Sequence, residues 1–281
     1  MTFWKQWRLL FDNNRPVFVL GVGAQKAGTT WLYQYLKACE NTNMGDLKEY
    51  HIWDGLLQPE KFPEFVYSNP QTCDANVTDL QRELQADPQA YFRYFRNLVE
   101  NSEITGDLSP SYCGLSAKDF RFIRQQLRRA NFRVKIVFLM RDPVERCWSA
   151  SRMFARNREM RGSPGWTQEQ LVDHFAQEFP SAHYQVRTRY EQTLQALDRA
   201  FPGKEVYLGF YENMFELANL QAVAKFFGVA TRPDELERTR NASAGAVLPE
   251  NLRKQCHDFY RSTYEYCWAR FPQTRKLWPP V

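Results

Sequence analysis

Gly23, Gln25, Lys26, Ala27, Gly28, Thr29 and Thr30 fall within one short stretch, G-A-Q-K-A-G-T-T. These residue types at this spacing can cradle an anion. Glycines let the backbone come close, N–H groups at a helix start carry partial positive charge, two hydroxyls add donors, and a lysine adds a mobile cation. The nucleotide-hydrolase loop G-x-x-x-x-G-K-[ST] aligns with Gly23 and Gly28 but puts Thr29 where that loop requires lysine. The lysine stands three places earlier, as Lys26. By itself a glycine turn with a threonine helix cap is common. A preceding apolar strand, two glycines, a lysine and two threonines together favour a phosphate cradle.

A second stretch, "FLMRDPVERCWSAS" (138–151), ends an apolar run and starts a helix. Asp142 as N-cap, Pro143 at the first position and Glu145 at the third are strong helix-start signals. Arg141 then lies at the end of a buried strand, where ligands of open α/β sheets bind. Ser149 falls two turns later, on the side of Arg152 and Arg156, so a cation and a hydroxyl are available to a second phosphate. A local ion pair of Arg141 with Asp142 or another neighbour is the competing reading.

The third stretch, "DLKEYHIWD" (46–54), holds Lys48, Glu49 and His51 just beyond the first helix. Glutamate and histidine are both general bases for a hydroxyl or an amine. If the segment is extended, Glu49 and His51 share one face and Lys48 takes the other. A charged surface loop is the bland alternative.

The elements that must position these residues are legible as short apolar runs: 17–22, 134–140 and 205–211, with a weaker one at 102–107. Continuous apolarity marks strands buried on both faces. Helical periodicity fills the gaps. Trp31, Leu32, Tyr35, Leu36 and Cys39 form a stripe after the glycine loop, 189–201 is amphipathic, and 220–229 ends at a glycine cap. Strands separated by helices predict an α/β fold with a parallel sheet. Residues 54–100 read as an irregular helical insertion on the acceptor side, 259–271 as one amphipathic helix, and the whole chain as one domain.

Composition limits the function classes. With 43% hydrophobic and 25% charged residues over 281 positions, the chain has the make-up of a globular protein. It has no apolar run long enough to span a bilayer. Phe3, Trp4, Trp7, Leu10 and Phe11 share a helical face, which reads as a short packed helix, with a membrane-surface anchor as the alternative, and not as a signal peptide. The six cysteines are scattered with no C-x-x-C pair, so they read as free thiols in a reducing, cytoplasmic setting, not as a zinc site. The sequons at Asn76 and Asn241 then carry no meaning. Net charge is +5, but Lys118–Arg161 holds thirteen basic and four acidic residues, a local +9 that leaves −4 elsewhere. Such a run is either a solvated surface or a footprint for an anionic ligand.

Taken together, the three stretches resemble the sulfotransferases that use 3′-phosphoadenosine 5′-phosphosulfate (PAPS), and most closely the heparan sulfate branch and its bacterial relatives. "QKAGTTWLYQYL" is similar to the family's 5′-phosphosulfate loop, "FLMRDPVERCWSAS" to its 3′-phosphate motif, and "KEYHIWD" to the lysine–glutamate segment of the heparan branch. Weaker similarity runs through "GDLSPSYC", "RYEQTLQALDRAFP" and "YENMFELANLQAVAKFFGV". The resemblance spans residues from about 17 to 230 and implies a P-loop-type three-layer α/β fold. It implies that Gly23, Gln25, Lys26, Ala27, Gly28, Thr29 and Thr30 bind the 5′-phosphosulfate, and that Arg141 and Ser149 bind the 3′-phosphate. Lys26 would act on the bridging oxygen, with Glu49 as base, His51 as the alternative base and Lys48 assisting.

A transferring sulfuryl group carries less negative charge than a γ-phosphoryl group, so no metal is required. The acceptor is a hydroxyl or an amine, with a saccharide suited to the aromatic content and basic flank. "TRNASAGAVLPENLRK" (239–254) stands where cytosolic relatives carry a nucleotide-closing loop but lacks their R-K-G-x-x-G pattern. His174, His183 and His257 have no motif around them and read as structural or exposed. Two rivals stay open. A P-loop kinase would bind ATP with Mg²⁺; a non-catalytic polyanion-binding module would bind nucleic acid or sulfated glycans without needing Lys26.

Overall fold

The computed structural model describes residues 15–73, 76–236 and 246–281. The apolar face at residues 3–11, the sequon at Asn241 and the first part of the 239–254 stretch lie outside the described residues.

Four short apolar runs become four parallel strands: β1 (Val17–Gly21), β2 (Ile104–Leu108), β3 (Arg133–Met140) and β4 (Val206–Phe210). Each expected strand is present, with ends within two residues of those read from the sequence. Every residue of β1 and β2 is buried. That is the physical reason the apolarity of β1 is continuous rather than alternating, whereas β2 buries the polar Thr105 and Asp107.

The strand order is β2-β1-β3-β4. From β1 the chain goes to one side to lay down β2, then returns to β1's other side for β3. The reversal opens a crevice beyond the carboxyl ends of β1 and β3, where an open α/β sheet binds its ligands. The glycine loop follows β1, and Arg141 follows β3. The topology therefore brings the two phosphate-type stretches to one place.

Helices α1 (Thr29–Lys37), α2 (Trp53–Leu57), α3 (Asp79–Ala86) and α4 (Pro88–Leu98) precede β2 or lead into it. After β2 come α5 (Ala117–Arg129), and after β3 α6 (Pro143–Met160), α7 (Gln168–Glu178), α8 (Ala182–Thr188) and α9 (Tyr190–Ala200). Beyond β4 lie α10 (Leu217–Phe227), α11 (Glu250–Phe259), α12 (Arg261–Arg270) and α13 (Thr274–Leu277). The fold is thus a parallel sheet flanked by helices. No helix among the described residues is long and apolar enough to cross a membrane.

Phe18 anchors one face of the sheet, meeting Phe95 and Phe132 edge-on with ring centroids 4.9 and 5.4 Å away. Such edge-to-face pairs add about 0.5–1.5 kcal/mol each beyond area burial. Residues 54–100 hold three of the short helices, joined by turns. Tyr91 and Phe95 of α4 pack over β1 and β2, leaving Tyr91 within hydrogen-bond reach of Asp107.

At the other end, the helix expected at 259–271 is present as α12, Arg261–Arg270, separated from α11 by a break at Tyr260; Tyr260 and Tyr264 are each fully buried. The Tyr260 hydroxyl donates to the Phe179 carbonyl at 2.6 Å. Residues 250–254 are likewise the first turn of α11 rather than loop.

Candidate active site

The glycine loop leaves β1 still zipped to β3. Val22 N–H donates to Val137, Leu139 N–H to the Gly23 carbonyl, and Ala24 N–H to Leu139. A cis peptide joins Gly23 and Ala24, and Lys26 adopts φ +69°. Gly28 caps α1 at φ +92°, with no side chain capping the helix start. Only glycine fits there: a Cβ would lie 2.4 Å from the Met214 sulfur. An uncapped helix start with nearby hydroxyls is a ready site for anionic oxygens.

Thr29 is buried and Thr30 exposed. The Ala27 N–H is already taken by the Ala24 carbonyl at 3.2 Å, so Ala27 closes the turn. The side-chain oxygen of Gln25 is buried without a hydrogen-bond partner. Burial, then the charges of Arg156, Arg141, Arg152 and Arg146, push the Lys26 amine down to about 8. A site that disfavours a cation in this way suits a multiply charged anion.

At the end of β3, Asp142 caps α6 by accepting the Glu145 N–H at 3.0 Å, the cap expected from sequence and worth about 1 kcal/mol. This holds Arg141 at the crevice, where its guanidinium donates to the Lys26 carbonyl at 3.3 Å and lies 4.3 Å over the Tyr211 ring. Its only acidic neighbour among the described residues is Glu145, a distant 3.8 Å away. Glu145 is engaged more closely by Arg253 of α11, at 2.8 Å. Arg141 therefore makes a long local ion pair with a neighbour and also reaches the loop of Lys26. Ser149 is 9% exposed on the next turns of α6.

The third stretch departs from the expectation of an extended segment. His51 sits at φ +54°; Glu49 and His51 meet as expected, but Lys48 lies on the same side as Glu49 rather than opposite it. The Lys48 ammonium is paired with Glu49 Oε1, while Glu49 Oε2 lies 3.1 Å from His51 Nε2. His51 Nδ1 lies 2.7 Å from Asp54 Oδ2 and 2.8 Å from Ser111 Oγ. The ring stacks flat on Phe65, centroids 3.6 Å apart. Each ring nitrogen thus faces a carboxylate, and neither is open to an acceptor. Burial, and then the charge of Lys26, lower the Lys48 amine to about 8, so the two lysines share one neighbourhood.

Asp54, Ser109 and Ser111 join this cluster, and the sequence reading did not single them out. Asp54 closes the quoted "KEYHIWD", four residues after Tyr50, and the serines sit in "GDLSPSYC". The signal was present, but nothing in linear spacing joins 49–54 to 107–112. His174, His183 and His257 stand apart from this site. They pack on Trp166, Phe154 and Tyr264 respectively, and are structural.

Residues 16–233 match the family model described as the Sulfotransferase family. The chain belongs to the sulfotransferase family. It is an enzyme that transfers a sulfuryl group. Among solved structures, a sulfotransferase from Alicyclobacillus acidocaldarius is similar in fold, with a TM-score of 0.57 at 19% identity, covering 92% of this chain and 96% of that one. Mouse sulfotransferase SULT7A1, solved in complex with PAP, aligns at 12% identity over 94% of this sulfotransferase and 87% of its own chain, with a TM-score of 0.48. No curated protein matches the sequence.

Proposed function

We propose that this sulfotransferase is a single domain that moves a sulfuryl group from PAPS to a hydroxyl or amine, with Glu49 as the general base. The observation that carries the reading is the convergence of Lys26, Lys48, Glu49 and a doubly engaged His51. With both nitrogens of His51 turned to carboxylates, Glu49 is the group whose carboxylate, 30% exposed, can meet an acceptor. His51 is then the clamp that orients the base, and Asp54 and Ser111 hold the clamp.

The residues present fit the donor. The uncapped start of α1, Thr29, Thr30 and Lys26 supply donors and charge for a 5′-phosphosulfate, while Arg141 and Ser149 would hold a 3′-phosphate. PAPS supplies an activated sulfuryl group on a phosphate leaving group. Lys26 would neutralise charge developing on that phosphate, and Lys48 is placed beside Glu49 to follow the proton transfer. Two ammonium groups take the part that Mg²⁺ plays in phosphoryl transfer, so no metal is needed.

For the acceptor, a polar saccharide of the kind used by the heparan branch is the reading we favour. A groove of ≈ 500 Å³ between the turn at 110–114 and α8–α9 is lined by Lys61, Arg189, Arg199, Gln185, Gln192 and Gln195, with no carboxylate among its lining residues. Cations interleaved with amides suit hydroxyl-rich, acidic chains. The 54–100 region, which carries Phe65 onto His51, would shape acceptor choice. Six free cysteines support a reducing, cytoplasmic setting.

The test is calorimetric titration with 3′-phosphoadenosine 5′-phosphate (PAP), ADP and ATP, with and without Mg²⁺. Metal-independent binding that requires the 3′-phosphate supports the donor. Binding of ATP only with Mg²⁺ would hand the site to the kinase reading. A screen of saccharide hydroxyls and amines then follows.

A further inference from the structure

The backbone of the catalytic turn is held by a device remote in sequence. Ser109 Oγ accepts the N–H of Tyr50 and the N–H of His51, both at 3.0 Å. The Tyr112 hydroxyl accepts the next two, Ile52 N–H at 3.1 Å and Trp53 N–H at 3.4 Å. Both hydroxyls donate to one carboxylate, Ser109 to Asp107 Oδ1 and Tyr112 to Asp107 Oδ2, each at 2.6 Å. Asp107, Ser109 and Tyr112 are each fully buried. Four consecutive backbone N–H groups are therefore tied, through two hydroxyls, to one side chain of β2.

The arrangement has a directional logic. A hydroxyl has a single proton, and here the carboxylate takes it, so both oxygens present lone pairs to the turn. Donation to an ionised acceptor makes these the stronger kind of hydrogen bond, and the chain of bonds polarises each member. The turn needs such support, because His51 is a non-glycine residue in the left-handed region, which persists only when its surroundings over-determine it. Glu49 enters the turn just before Tyr50. Any relaxation of His51 would swing both its ring and the carboxylate it clamps.

We propose that Asp107, Ser109 and Tyr112 are positioning residues for sulfuryl transfer, holding the left-handed turn at His51 so that Glu49 faces the acceptor. The inference rests on the reading of Glu49 as base. It assigns a role to "GDLSPSYC": β2 delivers a carboxylate whose hydroxyl partners build the base's scaffold, while Ser111 of the same segment holds the His51 ring.

The test compares Ser109→Ala and Tyr112→Phe with Val19→Ala, a core change in β1 that lowers stability without touching the turn. Wild type and Glu49→Gln run beside them. PAP affinity, release of PAP from PAPS with water or heparosan as acceptor, and ¹⁵N imidazole spectra are measured on each. With four histidines in the chain, the His51 signals are assignable. Expected for Ser109→Ala and Tyr112→Phe are turnover lowered about 100-fold, the penalty for a misplaced catalytic group, PAP affinity within about twofold, and displaced His51 nitrogen signals. Val19→Ala should leave the spectrum and turnover as in wild type at a comparable loss of thermal stability.

Unchanged His51 signals in both hydroxyl variants would overturn the positioning role. So would turnover no lower than in Val19→Ala, or PAP affinity falling in step with turnover. Full turnover in Glu49→Gln would instead remove the base reading, a separate failure that the His51 spectra do not share.

Discussion

His51 Nδ1 lies 2.7 Å from the carboxylate of Asp54, a side chain wholly withdrawn from solvent. A buried carboxylate without a proton donor would be costly, and here the imidazole and Ser111 supply donors. The pair fixes which way the ring faces, and its far nitrogen meets Glu49. The proposed division of labour between a base and its clamp makes the roles of 49, 51 and 54 separable by experiment.

Glu49→Gln keeps the shape and removes the basic oxygen. Turnover is expected to fall by about 100-fold or more, the usual contribution of a general base, while PAP binding stays near wild type. Asp54→Asn should give a smaller loss of turnover, again with PAP affinity kept. Steady-state kinetics beside calorimetry reads both; a normal rate for Glu49→Gln passes the base role to His51.

Lys26→Ala is expected to lower turnover far more than PAP affinity, since its ammonium acts where charge develops on the leaving phosphate. Removing one such preorganised donor commonly costs about 10²–10³ in rate. Equal losses in turnover and affinity would make Lys26 a binding residue only.

Arg141→Ala should weaken PAP by roughly tenfold or more while leaving adenosine 5′-phosphate binding little changed, because a charge-assisted contact to the 3′-phosphate is lost. The ratio of the two dissociation constants is the readout. A uniform loss for both nucleotides would place Arg141 at the 5′ side.

The pH profile follows from Lys26, held down at about 8 chiefly by burial and next by Arg156. The ammonium form is the active one, so kcat/KM for the donor is expected to fall as pH rises through that value. Arg156→Gln removes a neighbouring positive charge, favours the ammonium, and should move this alkaline limb to higher pH. A limb that stays in place would mean that it belongs to another group. Lys48, also lowered to about 8, is the first to examine through Lys48→Met.

Gly28→Ala puts a Cβ 2.4 Å from the Met214 sulfur at φ +92°. Left-handed strain of this kind costs about 1–3 kcal/mol, so Tm should drop by roughly 5 °C. Donor binding should weaken with it, because the helix start must shift. Calorimetric melting with and without PAP checks both.

Much of this enzyme is written locally. The apolar runs at 17–22, 134–140 and 205–211 read as strands of a parallel sheet, because their apolarity does not alternate. Gly28, Lys26 and the Asp142–Pro143–Glu145 helix start carry their chemistry in spacing alone, since a turn and a cap are made within a few residues. Contacts across the sheet are another matter. Linear pattern says nothing about which hydroxyl will reach which N–H some 60 residues away, as Ser109 does to His51. Nor does periodicity foresee a non-glycine residue in the left-handed region, as at His51, or a charged pair such as Lys48–Glu49 that brings adjacent side chains together. The chain order alone determined the glycine loop and its strand; the pairing of β1 with β2 and β3 decided that Asp107 stands under the turn at His51 and that Arg141 reaches the loop of Lys26. Local geometry costs free energy that neighbouring residues can settle, whereas a strained turn persists only where distant side chains pack and hydrogen-bond to hold it.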